Sequence, residues 1–480
     1  MNKELRRVSV FVLLMFLALF ASSSIIQVFQ QDTLQADGRN VRVLYASFNA
    51  DRGAILAADG TVIAQTVPSD GEISVQRVYP QGDLYSAVTG YFTLNQGNTG
   101  IEAELNDYLS GTANEQFLDQ VTAIFTGQQP QGAAVQTTID PVVQQAAWDA
   151  LGDRSGAVVA LDPATGEILA MVSKPAFDPN DLAVHDTDQV ISTYNGLLAD
   201  PGDPLINRAI AGDLNPPGST FKLVVAAAAL ESGEFSVDSE FPNPSSLQLP
   251  QSSSVITNSE GGSCGGGSTA SIETAIRLSC NITFAQLGAE LGAGAIADQA
   301  AALGFGDDAL RVPMAVEPSV YPAPESEAQL MLSSFGQANV RATPLEMAMV
   351  SAAIANGGQL MRPTLLSSVI GPDLSPLEVV EPELYGTAMS GTTAAAMSDM
   401  MLAAVANGVS SNARISGVDV AGKTGTAEDG QGSYSLWFTG FAPVDDPQVA
   451  VAVVVENAQG FGNTVAAPIA RAVMEAVLNR

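Results

Sequence analysis

The sequence predicts an α/β fold, a sheet with flanking helices and a separate helical lobe, behind an apolar N-terminal segment and a small mixed α+β region. Three observations carry this reading. A long uncharged run opens the chain, and a strand hairpin near residues 156–173 is followed by a long stretch of helical pattern. The C-terminal sixty residues then return to three strands and a closing apolar helix.

At the N-terminus, Lys3, Arg6 and Arg7 precede an uncharged segment, Val8 to Phe29. It is long enough to cross a hydrocarbon layer of ~30 Å as a helix. The expectation is a cytoplasmic tail over residues 1–7 and a retained anchor over 8–29, with everything after it outside the cytoplasm. A cleaved signal peptide is the alternative; the run is long for one, and no clear A-x-A site follows.

Residues 30–135 are turn-rich, and "RGAILAADGTVIAQ", Arg52 to Gln65, reads as two short strands around Asp59-Gly60. From Val135 the pattern is more regular. Thr138 is placed to cap a helix carrying Val142, Val143, Ala146, Ala147 and Leu151 on one face. "GAVVALDPATGEILAMVS", Gly156 to Ser173, reads as strand, Asp-Pro-x-x-Gly turn, strand. The domain boundary is therefore set near 135, giving a pedestal or dimerisation-like domain over 30–135 and a second domain over 136–480.

A Ser/Gly-rich stretch, Ser252 to Ser271, reads as loop. Helical patterns cover about 271–300 and 326–357. The end reads as the strands "VDVAGKTGTAE", "YSLWFTGFAP" and "PQVAVAVVVEN", then a helix from about Val465 to Leu478.

Composition excludes several functions. The formal charge of −32 argues against nucleic acid, which would be repelled. Two cysteines and a single histidine are too few for a structural zinc site. His185, in a polar stretch, reads as a loop residue, which makes a Ser-His-Asp mechanism unpromising.

The lysines are more informative, because the chain has only four, at 3, 174, 222 and 423. In "LNPPGSTFKLVVAAAALESG", Pro216, Pro217 and Gly218 halt the preceding element and Gly233 ends the helix they introduce. Ser219 falls in the first turn, with Lys222 three residues on. A lysine desolvated in an apolar helix has its pKa lowered and can accept a serine proton. The bland alternative is a capping serine with a lysine that snorkels to solvent. Two further motifs favour chemistry: "SCN", Ser279 to Asn281, within an apolar helical stretch, and "KTGT", Lys423 to Thr426, at the head of a strand.

S-x-x-K, S-x-N and K-T-G-T in this order resemble the penicillin-binding protein and serine β-lactamase superfamily. "NRAIAGDLNPPGSTFK", "SFGQANVRATPLEMAMVSAAIANGG" and "WFTGFAP" look like class B penicillin-binding proteins, and "YSAVTGYFT" with the length points to the actinobacterial penicillin-binding protein A type. Asn215 departs from the family where an aromatic is common, and Ala338 where glycine is frequent.

The resemblance implies a transpeptidase domain with an antiparallel sheet, flanking helices and a helical lobe. It implies a serine-type D,D-transpeptidase that cross-links peptidoglycan stem peptides and is covalently inhibited by β-lactams, with no metal or cofactor. Carried over by residue, Ser219 is the nucleophile, Lys222 its base, and Ser279 with Lys423 the relay to the leaving amine. Asn281, Thr424, Gly425 and Thr426 bind substrate, and the N–H groups of Ser219 and Thr426 form the oxyanion hole. A polytopic membrane glycan polymerase is the implied partner. A β-lactamase or a non-catalytic β-lactam sensor shares the motifs; the anchor and pedestal argue against the first, and the lack of several spans against the second. With Ser279 and Asn281 facing the cleft, Cys280 should point away from it and bond Cys264, although two reduced cysteines are the alternative.

Overall fold

The computed structural model describes residues 3–29, 48, 51–70, 73–116, 131–212, 214–259, 261–428 and 432–480. Of the expected pedestal, residues 30–47, 49–50, 71–72 and 117–130 lie outside the described residues.

Among the described residues, helix α1, Lys3–Phe29, is the one long and apolar enough to cross a membrane: Leu5–Ile26 has mean hydropathy 2.4 and none of it is buried. At 1.5 Å per residue it reaches about 40 Å.

The turn at Asp59-Gly60 joins strands Ile55–Leu56 and Val62–Pro68 as the sequence predicts. These belong to a six-stranded sheet whose composition is not local. Its order runs through 376–379, 366–370, 134–137, 55–56, 62–68 and 75–78. Strand Ala134–Thr137 straddles the boundary read from the sequence, and two strands from the C-terminal half complete the sheet beside it.

The helix Pro141–Leu151 forms where expected, but Thr138 does not cap it. Asp140 does, its carboxylate accepting from the N–H groups of Val142 and Val143. Thr138 turns inward and donates to the Ile168 carbonyl at 2.8 Å. Asp140 lies one residue before Pro141, where an N-cap must be, and proline at the first helical position sacrifices no hydrogen bond.

The second sheet holds the site. Strands β1 (Gly156–Leu161) and β2 (Ile168–Lys174) form the hairpin, and β3 (Ala421–Glu428), β4 (Tyr434–Ala442) and β5 (Val449–Ala458) follow far down the chain. The order is β3-β4-β5-β1-β2, antiparallel throughout. β1, β4 and β5 are buried almost throughout, which accounts for their continuous apolar runs. Helices 141–151 and 462–478 cover one face, and the apolar helix Pro344–Ala355 packs on the other. β3 is an edge strand, so one of its sides is left open to a cleft.

The helical lobe faces that edge. It contains α2 (Lys222–Ser232), α3 (Ile272–Leu278) and α4 (Asn281–Leu291). Gly233 ends α2 in a left-handed conformation, φ 72, as read from the sequence. The continuous helical pattern from 271 to 300 is broken in the structure: Ser279, at φ 60, closes α3, and Cys280 begins α4. The second motif spans this break, with Ser279 and Cys280 in it and Asn281 opening α4.

Candidate active site

The turn before α2 presents Ser219. Gly218–Thr220 forms a single 3₁₀ turn, and Thr220 ties its hydroxyl back to the Pro217 carbonyl at 2.7 Å. Gly336, at φ 77, supports it from behind, accepting the Gly218 N–H at 3.0 Å, and a Cβ on Gly336 would lie 2.0 Å from the Gly218 carbonyl oxygen. Ala338, two residues on, has φ 58, the left-handed conformation in which glycine carries no penalty. β3 reaches the same turn: a side chain on Gly425 would meet the Pro217 carbonyl oxygen at 2.7 Å. The missing side chain of Gly425 therefore admits the Ser219 turn against the strand, a tighter constraint than the room for substrate expected from the sequence.

Lys222 is the first residue of α2 and is fully buried, as is Lys423 on β3. Lys222 Nζ donates to the Ser279 carbonyl and to Asn281 Oδ1, both at 2.8 Å, and lies 3.3 Å from Ser279 Oγ. Lys423 Nζ donates to Ser279 Oγ at 2.8 Å and to the Thr424 carbonyl at 2.9 Å. Ser279 Oγ is thus shared by the two amines. Among the described residues neither lysine forms an ion pair with an acid.

Burial without a counter-charge drives both amines toward neutrality. Lys222 lies well below the usual lysine value, first because of burial and second because of the Lys423 charge. Lys423 is lowered to about 7 by burial. A neutral Lys222 has two N–H bonds, enough for the Ser279 carbonyl and Asn281 Oδ1, and keeps one lone pair for an incoming proton. Among the described residues the Ser219 hydroxyl makes no hydrogen bond, which leaves it free for a reactant.

The other motif residues assemble around the same space. Thr424 N–H donates to the buried Ser410 hydroxyl at 3.2 Å, and Thr426 Oγ1 accepts from Gly462 N–H at 3.1 Å. Asn281 Nδ2 donates to the Thr257 carbonyl at 3.0 Å. A cavity of about 500 Å³ is lined by Ser219, Ser279, Thr424, Gly425 and Thr426. A second, of about 640 Å³, reaches Asn281 and shares Ser259, Thr426 and Phe461 with the first. All eight motif residues read from the sequence therefore meet in one place. His185 lines neither cavity.

Cys264 and Cys280 are joined, with Cα atoms 5.8 Å apart, and the Cys280 side chain is fully buried. Sequence reasoning missed Thr257, Ser410 and Phe461. The first two act through a backbone carbonyl and a lone hydroxyl, which leave no pattern. Phe461, 59% exposed at the start of helix α5 (Gly462–Leu478), would have been findable as an aromatic between glycines. Asn215 replaces the expected aromatic with polar contacts: it donates to Glu456 Oε1 and accepts from the Ser435 hydroxyl, both at 2.7 Å.

Known proteins with this arrangement can be compared over nearly the whole chain. Residues 156–475 match the penicillin binding protein transpeptidase domain, and residues 52–135 the penicillin binding protein A dimerisation domain. The peptidoglycan D,D-transpeptidase PbpA of Mycolicibacterium smegmatis is 41% identical over 491 residues, spanning 100% of this chain and 99% of the relative. Its namesake from Mycobacterium tuberculosis is 41% identical over 492 residues, with the same coverage. Penicillin-binding protein A from M. tuberculosis, solved as its penicillin G acyl-enzyme complex, superposes with a TM-score of 0.85 at 39% identity. That comparison covers 89% of this chain and 100% of the solved one. The imipenem acyl-enzyme complex of the same protein gives 0.85 at 39%, over 90% and 100%. With the transpeptidase domain matching two-thirds of the chain and such relatives matching it end to end, the chain belongs to the penicillin-binding protein transpeptidase family.

Proposed function

We propose that the chain is a membrane-anchored peptidoglycan D,D-transpeptidase that works through an acyl-enzyme on Ser219. The observation that carries this reading is the pair of buried lysines, without an acidic partner among the described residues, that share Ser279 Oγ. Ser219 attacks the carbonyl of the penultimate D-alanine of a stem peptide, and Lys222 takes its proton. The proton passes through Ser279 and Lys423 to the amine of the departing D-alanine. The N–H groups of Ser219 and Thr426 hold the oxyanion; donors of this kind are worth about 3 kcal/mol each. Asn281 meets the substrate amide, while Thr424 and Thr426 take its carboxylate as the peptide lies along the open edge of β3. The amine of a second stem peptide then attacks the ester, and the serine is released as the cross-link forms. β-Lactams enter the same first step and remain as adducts.

Helix α1 anchors the protein, with Lys3, Arg6 and Arg7 on the cytoplasmic side and the catalytic domain outside. The N-terminal region acts as a pedestal and meets a polytopic glycan polymerase, a reading that rests on the family.

Fluorescent penicillin followed by intact-mass measurement tests the chemistry. Wild-type protein should gain one penicilloyl mass that persists for many minutes, and Ser219→Ala should gain none with its thermal midpoint nearly unchanged. Labelling of Ser219→Ala, or rapid repeated turnover of penicillin, would overturn the reading.

A further inference from the structure

The break between α3 and α4 raises the question of what holds it. Ser279 sits at φ 60, a strained conformation for a residue with a side chain, and such strain persists only where the surroundings fix it. Lys222 donates its hydrogen bonds to this short stretch, at the Ser279 carbonyl and Asn281 Oδ1, and Lys423 donates one of its two to Ser279 Oγ, so the stretch helps set where the two amines stand. Helix α4 supplies no cap of its own, because Cys280 at its N-cap position makes no side-chain hydrogen bond to the helix.

The cap comes from elsewhere. Asn258, only 5% exposed, lies in the Ser/Gly-rich stretch that the sequence offers as a plain loop. Its Oδ1 accepts from the N–H groups of Asn281 at 2.9 Å and Ile282 at 3.3 Å, and its Nδ2 donates to the Gly262 carbonyl at 3.2 Å. Its neighbour Thr257 receives Asn281 Nδ2 through its carbonyl. Six residues on, Cys264 bonds Cys280, and Asn243 grips Cys264 at both backbone atoms, at 2.9 and 2.7 Å. One loop thus holds the second motif at two points, a covalent one at Cys280 and a hydrogen-bonded one at Asn281.

We propose that Asn258 is a positioning residue for acylation: it caps α4 from outside the helix and so fixes the orientation of Asn281 and the break at Ser279. The reason lies in the orphan N–H groups at a helix start, which must find acceptors. Without Asn258 they would compete for other oxygens nearby, among them Asn281 Oδ1 and the Thr257 carbonyl, and Asn281 would turn away from Lys222. The inference rests on the roles given above to Ser219, Lys222 and Asn281.

The test uses the full-length protein in detergent and measures the second-order rate of acylation by two β-lactams, under conditions where each variant is folded. Penicillin G carries the side-chain amide assigned to Asn281, and 6-aminopenicillanic acid lacks it. Asn258→Ala should acylate about tenfold or more slowly with penicillin G, because small misplacements of reacting groups have effects of this size. The loss should be smaller with 6-aminopenicillanic acid, so the preference between the two ligands falls. Asn258→Asp keeps the accepting oxygen and should recover most of the rate and the preference. If Asn258→Ala fails to fold, Asn258→Ser, too short to reach both N–H groups, takes its place. A folded variant with a lowered midpoint but the wild-type rate and preference would reduce Asn258 to a structural role and overturn the proposal. Absence of an adduct on wild-type Ser219 would instead overturn the reading of the site itself.

Discussion

In the N-terminal region Arg52 and Arg77 donate to the two oxygens of Glu102, at 2.5 and 2.6 Å, all three side chains being buried. Tyr79 adds its hydroxyl at 3.1 Å. In the cleft Lys222 and Lys423 are equally buried, and among the described residues each finds only neutral oxygens. Burial alone would push the Glu102 carboxyl up, but the guanidiniums of Arg77 and Arg52 overrule it and hold it below its ordinary value. In the cleft nothing overrules burial, and both amines fall. The same desolvation therefore gives a permanent ion cluster in one region and a proton acceptor in the other. What differs is whether an opposite charge is within reach.

The sharpest way to break this contrast is to give the cleft its missing acid. Asn281→Asp would set a carboxylate at the position whose Oδ1 now lies 2.8 Å from Lys222 Nζ. An opposite charge that close favours the charged amine, so Lys222 should stay protonated at neutral pH and cease to act as a base. Acylation by penicillin should slow by about 10²–10⁴-fold, the usual worth of a general base. The rising limb of its pH profile should also move to higher pH, where Lys222 deprotonates. Asn281→Ala, which removes the same side-chain amide without adding charge, should leave the limb in place. An unmoved limb in Asn281→Asp would refute the contrast.

The reverse experiment removes the acid from the N-terminal cluster. Glu102→Gln leaves two buried guanidiniums facing one another. Breaking a buried pair in this way is destabilising by about 3–5 kcal/mol, since an uncompensated charge remains. Denaturant unfolding should register that loss, while the folded protein acylates at the wild-type rate. A loss below about 1 kcal/mol would mean that the cluster is worth no more than a surface ion pair.

Much of the catalytic site was legible because its signals are local. Proline and glycine punctuate the turn before Ser219, Gly233 stops α2, and the rarity of lysine drew attention to residues 222 and 423. The break at Ser279 was not legible, because apolar helical residues flank it and its causes lie outside it. Asn258 and Cys264 impose it through contacts 23 and 16 residues away in sequence. Thr138 and Asp140 are both good capping residues, and only the position of Pro141 separates them. The six-stranded sheet and the Arg52–Glu102–Arg77 cluster depend on pairings across the chain, which hydrophobic pattern does not encode.

A second buried glutamate sharpens the comparison further. Glu346 stands in the first turn of the helix Pro344–Ala355 and is 2% exposed, yet no cation meets it and its Oε1 lacks a hydrogen-bond partner among the described residues. Gly304 closes over it, a Cβ there lying 3.2 Å from both carboxyl oxygens, and Asp307, which accepts the Tyr385 hydroxyl, is the charge that acts on it. The helix N-terminus favours an anion by only about 0.3–2 kcal/mol, less than the several kcal/mol needed to bury an unpaired one. Burial first, and the Asp307 charge second, therefore hold the Glu346 carboxyl well above its ordinary 4.5, the opposite of Glu102. The sign follows from linkage. Below 4.5 the group is protonated in both the folded and the unfolded chain and does not affect stability. As pH rises past that value the unfolded chain ionises while the folded one keeps its proton, and stability falls by about 1.4 kcal/mol per pH unit until the folded value is reached. Glu346→Gln, which keeps the shape of the protonated acid, should match the wild type in unfolding free energy at the acid end. It should grow progressively more stable than the wild type as pH rises through the weakly acidic range. A difference that does not change with pH, or one that favours the wild type at neutral pH, would mean that Glu346 is ionised in the fold and that an unseen partner compensates it.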